Sequence, residues 1–384
     1  MTGAFQLAWR FVAFHRVRSA VLVTCLAMTM ALPVGLRLLV VQFEKQLAGR
    51  SRTTPLVAGA VGSRFDLILH TLYFRGQPPA ELTMQEVDRI TQSGYAEAVP
   101  IFARFRAAGF PVVGTTSDYL KLRELRVNEG TGIERHGDCL VGQGVARQLQ
   151  LGPGDSVLTE PELAFGPDGS FPLKLRVTGV LAASSSPDDN AIFVEIYTAW
   201  IVAGIGHGHA EGGESTVDDQ EHDPGLIEYT EITDSNVDSF HFHGDRMMFP
   251  VTSIIVLPSD DRAETLLLGR YLDPLESVRL LKPEEVIDEL LEFVIQLRKF
   301  FDLAFLLLAI ITSLFVMLVI ALSLKLRQRE FQTMHRIGCS RSMVFRLIAA
   351  ELVIVTVLSF LVFASLQLLL LGAAPHIISH WLRG

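Results

Sequence analysis

The sequence predicts an α-helical membrane protein with a large mixed α+β extracytoplasmic domain inserted between the first and second transmembrane helices. Three observations carry that expectation. The chain has three apolar runs of membrane-crossing length, basic residues gather beside particular ends of those runs, and between Phe43 and Lys299 the text changes to short alternating segments and turns. Composition agrees: apolar residues make up 49% of 384 residues that are also 20% charged. That mixture means uninterrupted apolar segments attached to an ordinary polar body.

Residues 1–18 read as a cytoplasmic interfacial helix, because AFQLAWRFVAF places Phe5, Trp9 and Val12 on one helical face. The first transmembrane segment is 19–42. Ser19 to Leu36 carries no charge, and LLVVQF extends the run beyond Arg37. A hydrocarbon core of roughly 30 Å needs about 20 apolar residues in a helix. A cleaved signal peptide is the competing reading, but the run is too long and no A-x-A site follows it. The second segment is 303–324 and the third is 347–372, whose apolar run begins at Leu352 after Glu351. None has the polar face of a soluble helix. Residues 373–384 are read as a short outer tail.

Arg10, Arg16 and Arg18 precede the first run. The loop 325–346 carries Lys325, Arg327, Arg329, Arg336, Arg341 and Arg346 against the single acid Glu330. The positive-inside rule then puts the N-terminus and this loop in the cytoplasm and residues 43–299 outside, in a multi-pass inner (plasma) membrane protein.

Within 43–299, residues 83–93 read as a helix with a Thr83 cap and Glu86 three positions on. Residues 98–105, 111–114, 173–180, 191–197 and 251–257 read as strands. Residues 142–149 and 259–270 read as helices, with a Gly152-Pro153-Gly154-Asp155 turn after the first. Pro283 opens a helix, 283–299, whose Val286, Leu290, Phe293 and Leu297 follow 4-3-4 spacing. It is expected to act as a stalk running into the second apolar segment.

Four phrases of this region carry a resemblance: VVGTTSDYLKLRELRVNEG at 112–130, CLVGQGVARQLQLGPGDSV at 139–157, LKLRVTGVLAAS at 173–184 and DNAIFVEIYTAW at 189–200. Their order and spacing resemble the MacB/LolC/FtsX permeases of ABC transporters, with a MacB-like periplasmic core domain. The segment LRQREFQTMHRIGCSRSMVFRLIAAE at 326–351 is similar to the coupling helix of that family. The resemblance implies that Arg329, Glu330, Met334, Arg336, Gly338 and Arg341 couple to a cytoplasmic ABC ATPase subunit. It also implies a second permease copy, identical or not, and a periplasmic substrate-binding or lipoprotein partner. The family has four spans, so the fourth is missing from this sequence.

No GxxxxGK[ST] loop, GxSxG or HExxH occurs, so the chain is expected to be a non-catalytic permease subunit with ATPase activity in a partner chain. The expected work is export, lipoprotein release or metal-linked transport. An FtsX-like regulator that activates a periplasmic partner without transport, and a metal-sensing membrane receptor, are the alternatives. The three cysteines, Cys25, Cys139 and Cys339, offer no CxxC pair. The net charge of −9 argues against nucleic acid.

That charge has one source. Residues 207–245 hold eleven acidic residues and no basic one, together with His207, His209, His222, His241 and His243. Imidazoles and carboxylates suit Zn²⁺ or another divalent transition metal such as Cu²⁺ or Ni²⁺. An H-x-H pair on a strand points both rings to one side. A solvated acidic loop with incidental histidines is the plain alternative.

Overall fold

A computed structural model describes residues 2–161, 172–208, 230–233, 235–273, 277–326, 328, 332–333, 336 and 341–381. The chain divides into two compact units, one made of Met1–Lys45 with Leu291–Gly384 and the other of Gln46–Leu290.

The first unit is helical. Thr2–Phe14, Arg16–Arg52, Pro283–Leu326 and Arg341–Trp381 are its described helices, the second and third extending into the other unit. Three of them are long and apolar enough to cross a membrane. Helix Arg16–Arg52 tolerates an internal Pro33, as membrane helices do where neighbours re-satisfy the freed carbonyl. Leu303, Leu307, Leu314 and Leu318 stay exposed, as expected of surface whose solvent is lipid.

The expected single apolar face of residues 4–14 is divided in two. Val12 is buried with Ala8 against Leu347, Ala350 and Ile354, whereas Phe5 and Trp9 remain exposed. An open apolar groove of about 880 Å³ lies there, lined by Phe5, Leu7, Trp9, Val353, Val357 and Leu361. The helix from Arg341 continues to Trp381.

The second unit is built on two sheets. One is wholly antiparallel, in the order Val278–Leu281, Leu56–Ala60, Ser253–Pro258, Ala96–Ile101. The other is mixed. Leu173–Leu181, Asp138–Val141, Ile192–Glu195 and Phe110–Thr115 lie side by side in it, with parallel pairing of 138–141 on 173–181 and of 192–195 on 110–115. Trp200, Tyr119, Phe102 and Phe193 are the largest fully buried side chains, and Trp200 donates its indole N–H to the Pro250 carbonyl at 2.8 Å.

Local chemistry places the ends of the elements. Ser63 caps Arg64–Tyr73 by accepting from the Asp66 amide, and Asp260 caps Asp261–Arg270 by accepting from the Ala263 amide at 2.6 Å. At Gly152–Asp155 the Asp155 carboxylate accepts from the Gly152 amide, and Gly154 takes φ 99°.

Three expectations change. Thr83 makes no capping bond at Met84–Gln92, and Glu86 pairs with Arg89 at 3.5 Å instead of reaching back. The strand expected over 191–197 stops at Glu195, because Ile196–Val202 is helical and buries Ile196, Ala199 and Trp200. On helix Pro283–Leu326 the 4-3-4 seam is buried at Val286 and half-buried at Leu290, but not beyond. Val286, Ile287 and Leu291 are buried, while Phe293 and Leu297 are exposed.

Candidate functional site

Helix Arg16–Arg52 ends in the second unit, and its last turn holds a buried polar cluster. Leu47, Ala48, Arg50 and Ser51 are buried there. Arg50 meets Asp188 through two parallel bonds, Nη1 to Oδ2 at 2.6 Å and Nη2 to Oδ1 at 2.8 Å. This is the bidentate fork that guanidinium and carboxylate geometry favours. Tyr119 gives its hydroxyl proton to Asp188 Oδ1 at 2.7 Å and receives one from Arg50 Nη2 at 2.5 Å. Ser186 completes the carboxylate by donating to Oδ2 at 2.9 Å.

The side chains of Arg50 and Asp188 are 6% and 2% exposed. Burial opposes both charges and is the largest single influence on each. The neighbouring Tyr119 and Asp188 outweigh it at Arg50 and hold the guanidinium above its ordinary pKa. At Asp188 the charge and hydrogen bonds of Arg50, then Tyr119 and Ser186, outweigh burial and hold the carboxyl below its ordinary pKa. Burial pushes the Tyr119 phenol up.

Two further contacts fix the same turn. Arg123 donates to the Thr54 hydroxyl at 2.7 Å, and Tyr73 donates its hydroxyl proton to the Leu47 carbonyl. Asp188 itself sits on the tight turn Pro187–Asn190, and Gly142 lets the neighbouring strand end approach it. A Cβ added at Gly142 would stand 2.3 Å from the Asp188 carbonyl oxygen. The whole arrangement is a socket for a helix end.

A second site lies on the hairpin formed by Gly206–Gly208 and Phe240–Phe242. These strands pair antiparallel with His207 directly opposite His241. Phe240 and Phe242 pack against the core. Strand alternation therefore turns His241 to the other face. The His241 and His243 rings lie 4.7 Å apart, and His241 Nδ1 is 3.0 Å from the Ser239 carbonyl. Behind the strand, Phe242 stacks edgewise on Tyr197 and His136.

The sequence-predicted residues fare unevenly. Backbone register sets His207 opposite His241, and the His243 ring lies beside that of His241. His209 and His222 lie outside the described residues. Among the described residues no three metal-ligand side chains gather into a ready site, and the side chain of His207 is not one of those described. Of the coupling residues, Arg336 is helical and exposed and Arg341 begins helix Arg341–Trp381. Arg329, Glu330, Met334 and Gly338 fall outside the described residues. Cys139 is buried, and burial pushes its thiol pKa up, as suits a packing residue.

The first unit carries its own polar contacts. Arg18 pairs with Glu351 at 3.1 Å, Arg37 with Asp302 at 3.2 Å, and the Gln367 amide donates to the Ala31 carbonyl at 2.9 Å. Sequence reading assigned no role to Arg50, Asp188 or Tyr119. The signal was faint: an arginine just past an apolar run, and a tyrosine inside the 112–130 phrase.

Residues 22–219 match the family described as MacB-like periplasmic core domain. No curated protein matches the chain. Among solved structures, the periplasmic region of MacB from Actinobacillus actinomycetemcomitans is similar at 12% identity, covering 62% of this chain and 94% of that one, with a TM-score of 0.36. The extracellular domain of the noncanonic ABC-type transporter YknZ from Gram-positive bacteria is similar at 12% identity, covering 59% and 98%, with a TM-score of 0.33.

Proposed function

Because the chain belongs to the MacB-like periplasmic core domain family, and with it to the ABC-transporter permeases of the MacB, LolC and FtsX kind, we propose that it is the mechanotransmission subunit of such a transporter. It couples ATP hydrolysis by a separate cytoplasmic ATPase to movement of the 46–290 domain. The N-terminus and residues 325–346 face the cytoplasm, and the domain faces the periplasm. The transporter holds two permease copies and serves export, lipoprotein release or metal-linked transport.

One observation carries this reading. Helix Arg16–Arg52 runs unbroken from a membrane-length apolar run to a buried turn clamped by Asp188. A continuous helix transmits displacement along its axis only if its far end is held. The fork of Arg50 on Asp188 holds it with charged, two-point geometry in a site that excludes water. Helix Pro283–Leu326 offers the same continuity on the return path.

The ATPase is captured through residues 325–346, where Arg329, Glu330, Met334, Arg336, Gly338 and Arg341 present basic and apolar groups to a groove of the partner. Affinity purification of the full chain from its native membrane tests this. Purified material should hydrolyse ATP through a co-purifying ABC ATPase, and scrambling Glu330–Gly338 should abolish that activity while the chain still inserts. Absence of any such ATPase, or its retention by the scrambled chain, would contradict the proposal.

A further inference from the structure

The histidine hairpin carries an inference that stands apart from the permease reading. We propose that His207, His241 and His243 form a transition-metal site for an ion of the Zn²⁺, Cu²⁺ or Ni²⁺ class.

Register is the first argument. Residues directly opposite in an antiparallel pair share a face, with Cβ atoms about 4.5–5.5 Å apart. His207 and His241 are such partners. The register is locked from behind. A Cβ added at Gly206 would stand 2.6 Å from the Phe242 ring, and Phe242 in turn packs on Tyr197 and Phe249. Sliding the strands by one residue would turn Phe242 out and the histidines in, against the core.

Ring geometry is the second argument. His241 and His243 are two residues apart, and their rings meet edge to face at 4.7 Å. Metal–nitrogen bonds of about 2.0–2.1 Å need donor nitrogens a little over 3 Å apart, within reach of a side-chain rotation from this arrangement. His207 holds the cross-strand register position opposite His241.

The third argument is the outer support of one ligand. A carbonyl oxygen only accepts, so at 3.0 Å from Ser239 O the His241 Nδ1 carries the proton. In that tautomer Nε2 is the nitrogen that carries the lone pair. Metal-binding histidines are oriented in this way by a backbone carbonyl on their other nitrogen. Imidazole-only ligation favours zinc, copper and nickel over calcium and magnesium. Residues 207–245 hold eleven acids and no basic residue, a sequence bias that favours cations over anions.

Three protein ligands leave a coordination position for water or an exchangeable ligand. The site is therefore built for exchange more than for permanent structural closure.

The test is calorimetric titration of the full chain in detergent micelles, stripped with chelator, against Zn²⁺, Cu²⁺ and Ni²⁺ in turn. The expected result is saturable binding of one ion per chain at micromolar affinity or tighter. Replacing His241 and His243 together by Ala should weaken it at least 100-fold, and His207→Ala alone at least tenfold. His15→Ala, on the other unit, should leave it unchanged. Because His243 is exposed, His243→Ala alone keeps the fold as a check and should still weaken binding and alter the Ni²⁺ absorption bands. No saturable binding by the wild-type chain would overturn the proposal. So would binding by the double variant within threefold of wild type.

Discussion

Helix Arg16–Arg52 carries an arginine–acid pair near each end, and the two pairs are built differently. Arg18 bonds Glu351 at 3.1 Å, with side chains 31% and 17% exposed, and its guanidinium lies over the Phe11 ring. Arg50 forks onto Asp188 with nearly full burial, and the carboxylate accepts four hydrogen bonds in all. The contrast teaches where the helix is held. A half-open pair permits adjustment, while a buried bidentate pair has one geometry or none.

Breaking the tight end should give the largest effect. Arg50→Met leaves Asp188 buried and uncompensated, which costs about 3–5 kcal/mol. Chemical denaturation followed by tryptophan fluorescence of the domain measures it. Removing the whole polar set, with Arg50→Met, Asp188→Leu and Tyr119→Phe combined, should return most of that loss, because a buried pair replaced by apolar groups is often neutral. A triple variant as unstable as the single one would mean that the fork supports the fold by more than charge pairing.

Acid separates the cluster from its neighbourhood. Burial first, with Arg106 adding to it, lowers the His70 pKa from 6.5 to about 4. The unfolded chain therefore takes up that proton first as pH falls, and stability should drop by roughly 3 kcal/mol between pH 6.5 and 4. His70→Leu should flatten that window. Asp188, whose pKa is depressed, contributes stability above its unfolded value and loses it only as pH falls further, through its folded value. The two windows should appear as separate segments of one stability–pH curve.

Smaller losses sharpen the comparison. Gly142→Ala forces a methyl group against the carbonyls of Asp188 and Asp189, and overpacking of this kind costs about 2 kcal/mol. Arg18→Ala at the loose end should cost about 1 kcal/mol or less, as part-exposed pairs do. Equal losses at Arg18 and Arg50 would erase the distinction between the two ends.

Much of the architecture was legible in the sequence because it follows from composition and short-range pattern. The apolar runs, the 173–181 and 110–115 strands and the Gly152–Asp155 turn are of that kind. What failed was decided over distance. Residues 196–197 alternate like a strand, yet the chain buries Trp200 by turning helical. The seam at Phe293 and Leu297 is good spacing on a face that packing leaves exposed. Arg50 and Asp188 lie far apart in the chain, and nothing local to either residue announces the other. His207 and His241 were legible as chemistry, but their pairing needed the register.

In this mechanism nucleotide turnover moves the domain through the helix that ends in the Asp188 socket. Hydrogen–deuterium exchange on the full chain with its co-purified ATPase, with and without ATP, reads this directly at 117–122 and 187–190. The account predicts a nucleotide-dependent change in exchange at both segments in the wild type, and its loss in Arg50→Met with hydrolysis retained. Exchange at both segments indifferent to ATP in an actively hydrolysing wild-type complex would contradict it.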